Sequence, residues 1–207
     1  MSRMRNLALL AFAAVVFAAC GCGSSKSLSS TGSSTATTPS SPSSAAALSA
    51  DAASAATGDI PDNQVFLVFY NNTAGYSIKY PEGWTQRGSG RDVTFQEKNN
   101  LVHIVVSTGP APSTASVAAA LRALRASDPT LTFKAPLRVR IGSTSAIKAT
   151  YTTQSAPNPV TGKRVLLLVD RYELANGGRH AMVDLGTPQG VDNVDAYRMM
   201  IESFRWR

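Results

Sequence analysis

The chain has 207 residues, with 20 Lys+Arg against 13 Asp+Glu, a formal net charge of +7. Two cysteines (Cys20 and Cys22) and two histidines (His103 and His180) are too few for a Cys/His zinc cluster and exclude a disulfide-built scaffold. Length allows one domain or two. No catalytic signature stands out, so the sequence speaks to location and architecture more than to activity.

Met1 to Asn6 carries Arg3 and Arg5 and no acid, and Leu7 to Ala19 is an unbroken apolar run, LALLAFAAVVFAA. A basic start, a short apolar core and small residues at its end describe a secretory signal peptide over 1–19. The run falls short of the ~20 residues that span a bilayer. Phe17-Ala18-Ala19-Cys20 resembles the lipobox of bacterial lipoproteins, in which the cysteine becomes the lipidated first residue of the mature chain. That resemblance implies acylation at Cys20 (palmitate among the chains) and attachment to the outer face of the cell membrane by lipid rather than by a spanning helix. Cys22 is the alternative acceptor, and an ordinary secretory signal with two incidental cysteines is the plainer reading. A Cys20–Cys22 disulfide is not expected at so short a separation.

Residues 20–58 read as a tether. Of the 36 residues from Gly23 to Gly58, 32 are Ser, Thr, Ala, Gly or Pro. Such a segment cannot bury enough apolar surface to offset its ordering entropy, and as a coil it reaches about 35 Å. The remaining 149 residues, 59–207, hold thirteen of the fifteen aromatics and have 17 basic and 12 acidic residues. They are expected to form one domain.

Within that domain Val65 to Tyr70 (VFLVFY) reads as a buried strand. Asn71-Asn72-Thr73 makes a turn, and Tyr76 to Tyr80 alternates toward Pro81. Asp92 to Glu97 and Leu101 to Ser107 flank Asn99-Asn100 as a two-residue hairpin, which would set Phe95 against Ile104 and Val93 against Val106. Ser113 to Ala126 reads as a helix capped by Ser113 or Thr114, with Val117, Leu121 and Leu124 in one stripe, stopped by Asp128-Pro129. Leu131 to Ile141, Ala146 to Thr153, Arg164 to Leu174 and Arg179 to Leu185 follow as strands, the last two joined through Asn176-Gly177. The Leu166-Leu167-Leu168-Val169 run is apolar at both parities and reads as covered on both faces. A closing helix is expected with Asp192 as N-cap and Val194, Tyr197, Ile201 and Phe204 inward. The order predicts an α+β fold: a largely antiparallel sheet with helices packed on it.

Gly75-Tyr76-Ser77-Ile78-Lys79-Tyr80-Pro81-Glu82-Gly83-Trp84 resembles the opening motif of PsbP-like domains, aromatic–Ser–Ile–x–Tyr–Pro–x–Gly–Trp, and Ile201-Glu202-Ser203-Phe204-Arg205-Trp206 resembles the Ser-Phe close of the same superfamily. The resemblance covers roughly residues 65–207. It implies a Mog1/PsbP-type α/β/α sandwich, a central antiparallel sheet with helices on both faces. It also implies a non-enzymatic role: bacterial members are often secreted lipoproteins, and photosynthetic members are extrinsic subunits assisting the oxygen-evolving complex. No position here matches the metal-binding histidines of the photosynthetic subunits, so no metal site and no cofactor is carried over. Physically the motif is a fold signature: Gly83 supplies a turn conformation other residues resist, and Trp84 folds back as an apolar anchor.

Candidate chemistry is sparse. His103 sits opposite Gln96 in the expected register, with no carboxylate placed near it, and reads as a partly buried hydrogen-bonding residue. His180 would face Glu173 across the Asn176-Gly177 hairpin, a pair able to hold a proton or help hold a metal, but more simply a cross-strand surface pair. Asp184 is the only further ligand candidate on that face. No cysteine lies in the domain, and G-x-S-x-G, H-E-x-x-H, phosphate-loop and dinucleotide motifs are missing. Lys134, Arg138, Arg140 and Lys148 form a basic cluster, the first three evenly spaced on one side of an expected strand. They suit an anionic docking face or simply a solvated one. The expected partners are the bilayer, through acylated Cys20, and an envelope protein or anionic wall or lipid surface. A small-ligand or wall-polymer binder is the alternative, with a hydrolase behind it. Nucleic acid is not expected, and the chain reads as a monomer.

Overall fold

Period-two alternation of apolar residues dominates the chain beyond residue 65, and the strands follow it. The computed structural model describes residues 58–158 and 160–207. The signal segment 1–19, Cys20 and all of the 20–58 tether except Gly58 lie outside the described residues. The elements in chain order are β1 (Phe66–Asn71), β2 (Tyr76–Pro81), β3 (Thr85–Ser89), β4 (Asp92–Glu97), β5 (Asn100–Thr108), α1 (Thr114–Ser127), β6 (Thr132–Phe133), β7 (Leu137–Ile141), β8 (Thr144–Gln154), β9 (Leu166–Asn176), β10 (Arg179–Pro188), α2 (Val194–Glu202) and β11 (Arg205–Trp206). They make two antiparallel sheets: a small one in the order β1-β2-β11, and a large one in the order β3-β4-β5-β10-β9-β8-β6, with β7 also on β8. The α+β class and the antiparallel pairing are as the sequence predicts. The two helices among the described residues have 14 and 9 residues, and part of the cover on the core comes from the three-stranded sheet.

Alternate residues of the large sheet enter two buried clusters. Ile147, Ala149, Tyr151, Leu167 and Val169 pack with Val117 and Leu121 of α1 and with Leu131. Val93, Phe95, Val102, Ile104, Ala181, Val183 and Leu185 pack with Tyr76 and Ile78 of β2 and with Tyr197, Met200, Ile201 and Phe204 of the C-terminal helical segment. Each fully buried Val, Leu, Ile, Phe or Met side chain among them contributes roughly 1.5–3 kcal/mol. Aromatic contacts tie the sheets together: Tyr80 stacks on Phe95 with centroids 4.2 Å apart, and Phe69 meets Phe95 edge-on at 5.2 Å. The Tyr76–Trp84 motif behaves as read. Tyr76 and Ile78 are buried, Gly83 adopts φ +88°, and Trp84 is buried beyond it.

Helix α1 begins in a reciprocal cap. Ser116 N donates to Ser113 Oγ at 3.1 Å, and Ser113 N donates to Ser116 Oγ at 2.9 Å. Its stripe is narrower than expected, since Leu124 lies at the surface. For α2 the N-cap is Asn193, not Asp192, and Val194 is exposed; Met200 takes the inner place. Asn193 makes no side-chain cap bond because its amide serves a buried network. Asn193 Oδ1 accepts from Ile60 N (2.8 Å), and Asn193 Nδ2 donates to Thr187 Oγ1 (2.8 Å) and to Gly58 O (3.1 Å). Asn100 Nδ2 donates to the same Gly58 carbonyl at 2.5 Å. These bonds fix where the chain enters the domain.

Four local expectations are corrected. Strand β1 is only partly buried: it is the outer strand of the small sheet, where Phe66 and Phe69 pack against the core but Leu67, Val68 and Tyr70 are exposed. The Leu166–Val169 run is covered on one face only, with Leu167 and Val169 at 2% and 1% exposure but Leu166 and Leu168 at 40% and 41%. The β4–β5 turn is Lys98-Asn99, Lys98 standing at φ +51°, so Phe95 faces Val102 and Val93 faces Ile104. That slip is two residues, so every side chain keeps its face. Finally, Leu131–Ile141 is two strands. Phe133 lies opposite Tyr151 and Leu137 opposite Lys148, so four steps along β6–β7 match three along β8. The extra residue, beside Pro136, is a bulge that reverses the facing of everything beyond it. Strands β3 and β11 were not foreseen.

Candidate functional site

The β9–β10 hairpin sets the chemistry of the large sheet. Its turn is Gly177-Gly178, with φ +55° and +79°, the two consecutive positive values a tight hairpin requires. Asn176 therefore pairs with Arg179, and the ladder brings Ala149, Arg171, Asp184, His103 and Thr94 into one cross-strand row. Arg171 grips Asp184 through both nitrogens: Nε donates to Oδ1 and Nη2 to Oδ2, each at 2.7 Å. Tyr151 OH donates to Oδ2 at 2.9 Å, and the Arg171 guanidinium lies 5.2 Å from the Tyr151 ring centre. Arg171 and Asp184 are 8% and 4% exposed. Burial disfavours the Arg171 charge, yet the Asp184 carboxylate more than offsets this and raises its pKa. Burial and the Asp184 charge push the Tyr151 hydroxyl upward.

Glu173 and His180 do not face each other as expected. Glu173 lies opposite Met182, and His180 lies opposite Ala175 on one side and Ser107 on the other. Both turn placements satisfy the glycine requirement, and the Gly-Gly choice shifts the register by two. Glu173 is half-buried beside Arg171 and Asp184. Burial raises its carboxyl pKa to about 7, Arg171 pulling it down and Asp184 pushing it up. His180 Nε2 lies 3.4 Å from Ser107 Oγ, long for a hydrogen bond, and its Nδ1 is buried with no hydrogen-bond partner among the described residues. A Ser–His pair with no third group orienting the imidazole lacks the geometry of an activated nucleophile. His103, read from sequence as far from any carboxylate, sits opposite Thr94, and its Nε2 lies 2.8 Å from Asp92 Oδ1. Among the described residues no group of three or more His, Cys, Asp or Glu is arranged to hold a metal.

The basic cluster divides. The bulge reverses the phase between Lys134 and Arg138, so Arg138 and Arg140 face with Ile147 and Ser145, while Lys134 and Lys148 belong to the opposite face. Arg138, Arg140 and Lys134 are exposed. Lys148 is engaged: its Nζ lies 2.8 Å from Asp170 Oδ2 and 5.3 Å from the Tyr172 ring centre. Burial opposes its charge, and Asp170 raises its pKa against that. Cys20 falls outside the described residues. Sequence reasoning missed Arg171, Tyr151 and the Asp92–His103 contact. The signal was present in the hairpin, because moving the turn to Gly177-Gly178 places Arg171 opposite Asp184.

What these elements build is a fold like that of PsbP, and the likeness is one of structure alone. No family model matches the chain, and no curated protein matches it. The solution structure of cyanobacterial PsbP (CyanoP) from Synechocystis sp. PCC 6803 superposes with a TM-score of 0.54 at 15% identity, over 72% of this chain and 98% of that one. The Saccharomyces cerevisiae Ran-binding protein Mog1p gives 0.43 at 8% identity, over 70% and 96%. A Bacteroides thetaiotaomicron VPI-5482 structure gives 0.42 at 17% identity, over 68% and 48%.

Proposed function

We propose that this chain is an exported, non-enzymatic lipoprotein of PsbP type that binds or assists another component of the cell envelope. Acylated Cys20 holds it on the outer face of the membrane, and the 20–58 segment lets the domain reach away from that surface. In this reading the fold is the α/β/α sandwich of its relatives, with α1 and α2 on opposite faces of the large sheet. The observation that carries the reading is the closed Arg171–Asp184–Tyr151 centre. Its charges are spent on one another inside the sheet, as suits a rigid binding scaffold. Arg138 and Arg140, exposed together on β7, supply a contact for an anionic surface.

Fractionation tests the tether. Cys20→Ser is expected to move the protein from the membrane fraction into the medium, and unchanged fractionation overturns the anchoring. Cross-linking in the native envelope tests the binding role, with a partner lost on Arg138→Glu plus Arg140→Glu as the expected result. Recovery of turnover that is abolished by His180→Ala would replace this reading with a hydrolase.

A further inference from the structure

The outer edge of β1 is open and carries none of the features that usually keep such edges apart. Phe66–Asn71 contains no charged residue and no proline, whereas edge strands are commonly guarded by lysine, proline or a bulge. Val65, Leu67, Val68 and Tyr70 are 54%, 40%, 45% and 57% exposed. The direction of the free groups follows from two bonds at the ends of the strand. Val65 O accepts from Glu82 N at 2.8 Å, and Asn71 O accepts from Gly75 N at 2.8 Å, both on the β2 side. In an antiparallel ladder the backbone groups alternate sides. Those of residues 65, 67, 69 and 71 therefore turn toward β2, and the N–H and C=O groups of Phe66, Val68 and Tyr70 turn outward. No described strand pairs with them.

We infer that β1 is a self-association edge, taking β1 of a second copy of this chain in antiparallel register about Val68. The strand is self-complementary in that arrangement. Phe66 meets Tyr70 of the copy, Leu67 meets Phe69, and Val68 meets Val68, so apolar residues oppose apolar residues at each position. Like charges stay apart. Lys79 pairs with Val68 from β2, so Lys79 and its symmetry mate are three strand spacings apart, about 14 Å. That separation exceeds the roughly 8 Å Debye length at physiological salt. The Arg207 guanidinium, 4.7 Å from the Tyr70 ring centre, lies at opposite ends of the paired strands in the two copies. The two small sheets merge into one of six strands, and no edge of β1 remains open. So small an interface gives a weak, reversible dimer in solution. Co-tethering on one membrane would raise its population through effective concentration. The inference stands on the sheet edge alone and is independent of what the domain binds in the envelope.

Sedimentation of the purified full chain between ~5 and ~500 μM, the range where small interfaces associate, reads the equilibrium directly. A concentration-dependent monomer–dimer equilibrium is expected. Val68→Lys sets two ammonium groups against each other at the two-fold axis and should weaken dimerisation at least tenfold, while Val68→Thr leaves it within about threefold. The side chain at 68 is exposed, so thermal melting of both variants should match the parent and confirm that the fold is intact. A second probe, Tyr70→Glu, should weaken dimerisation by a comparable factor. A chain that stays monomeric throughout, whether its edge is free or filled by residues 1–57, overturns the inference. So does a dimer that survives Val68→Lys, since its interface must then lie elsewhere.

Discussion

Replacing Asp184 by alanine removes the acceptor of three hydrogen bonds, two from Arg171 and one from Tyr151. It leaves a guanidinium whose side chain is only 10% exposed. Breaking one side of a buried ion pair costs ~3–5 kcal/mol, because the remaining charge has neither water nor partner. A domain of this size melts roughly 2–4 °C lower for each kcal/mol lost, so the midpoint should fall by about 6–20 °C. Urea unfolding followed by the fluorescence of Trp84 and Trp206 gives the same quantity as a shift in midpoint at constant slope. Removing the whole centre behaves differently. Arg171→Met, Asp184→Leu and Tyr151→Phe together leave no orphaned group, and the triple variant should lie within ~1 kcal/mol of the parent. An Asp184→Ala cost below ~1 kcal/mol, or a triple variant less stable than the single one, would refute the buried-charge account of this centre.

Three further outcomes are expected. Glu173 has a folded-state pKa raised from 4.5 to about 7, so the folded chain holds a proton the unfolded chain has lost, and stability falls as pH rises through that window. Glu173→Gln should abolish this slope between pH 4.5 and 7 and gain on the parent above it; a difference between the two urea midpoints that does not change with pH contradicts this. Asn193→Ala orphans the Ile60 amide and loosens Gly58, at a cost of roughly 1–3 kcal/mol. Hydrogen exchange should show Ile60 losing protection while the β9–β10 ladder keeps its own. Gly88 stands at φ +75°, and a Cβ there would press on the Asp92 carbonyl. Gly88→Ala should therefore destabilise the β3–β4 hairpin by ~1–3 kcal/mol in a thermal melt, and an unchanged melt would count against it.

The sequence by itself determined the parts that depend on neighbours along the chain. Alternation placed β2, β4, β5, β8, β9 and β10 within a few residues, Ser113 marked the start of α1, and Pro81-Glu82-Gly83 marked the turn before Trp84. The motif over residues 75–84 was enough to point to a PsbP-like fold. Only the tertiary structure decided which residues oppose one another. A two-residue choice between Asn176-Gly177 and Gly177-Gly178 separates an expected Glu173–His180 pair from the actual Arg171–Asp184 pair, and both turns are sterically permitted. A single extra residue near Pro136 sends Lys134 and Arg138 to opposite faces. Burial was equally hidden, since the apolar composition of β1 and of Leu166–Val169 is a local property. Whether a face is covered depends on which distant element packs over it, and for β1 no described strand pairs with the outer edge.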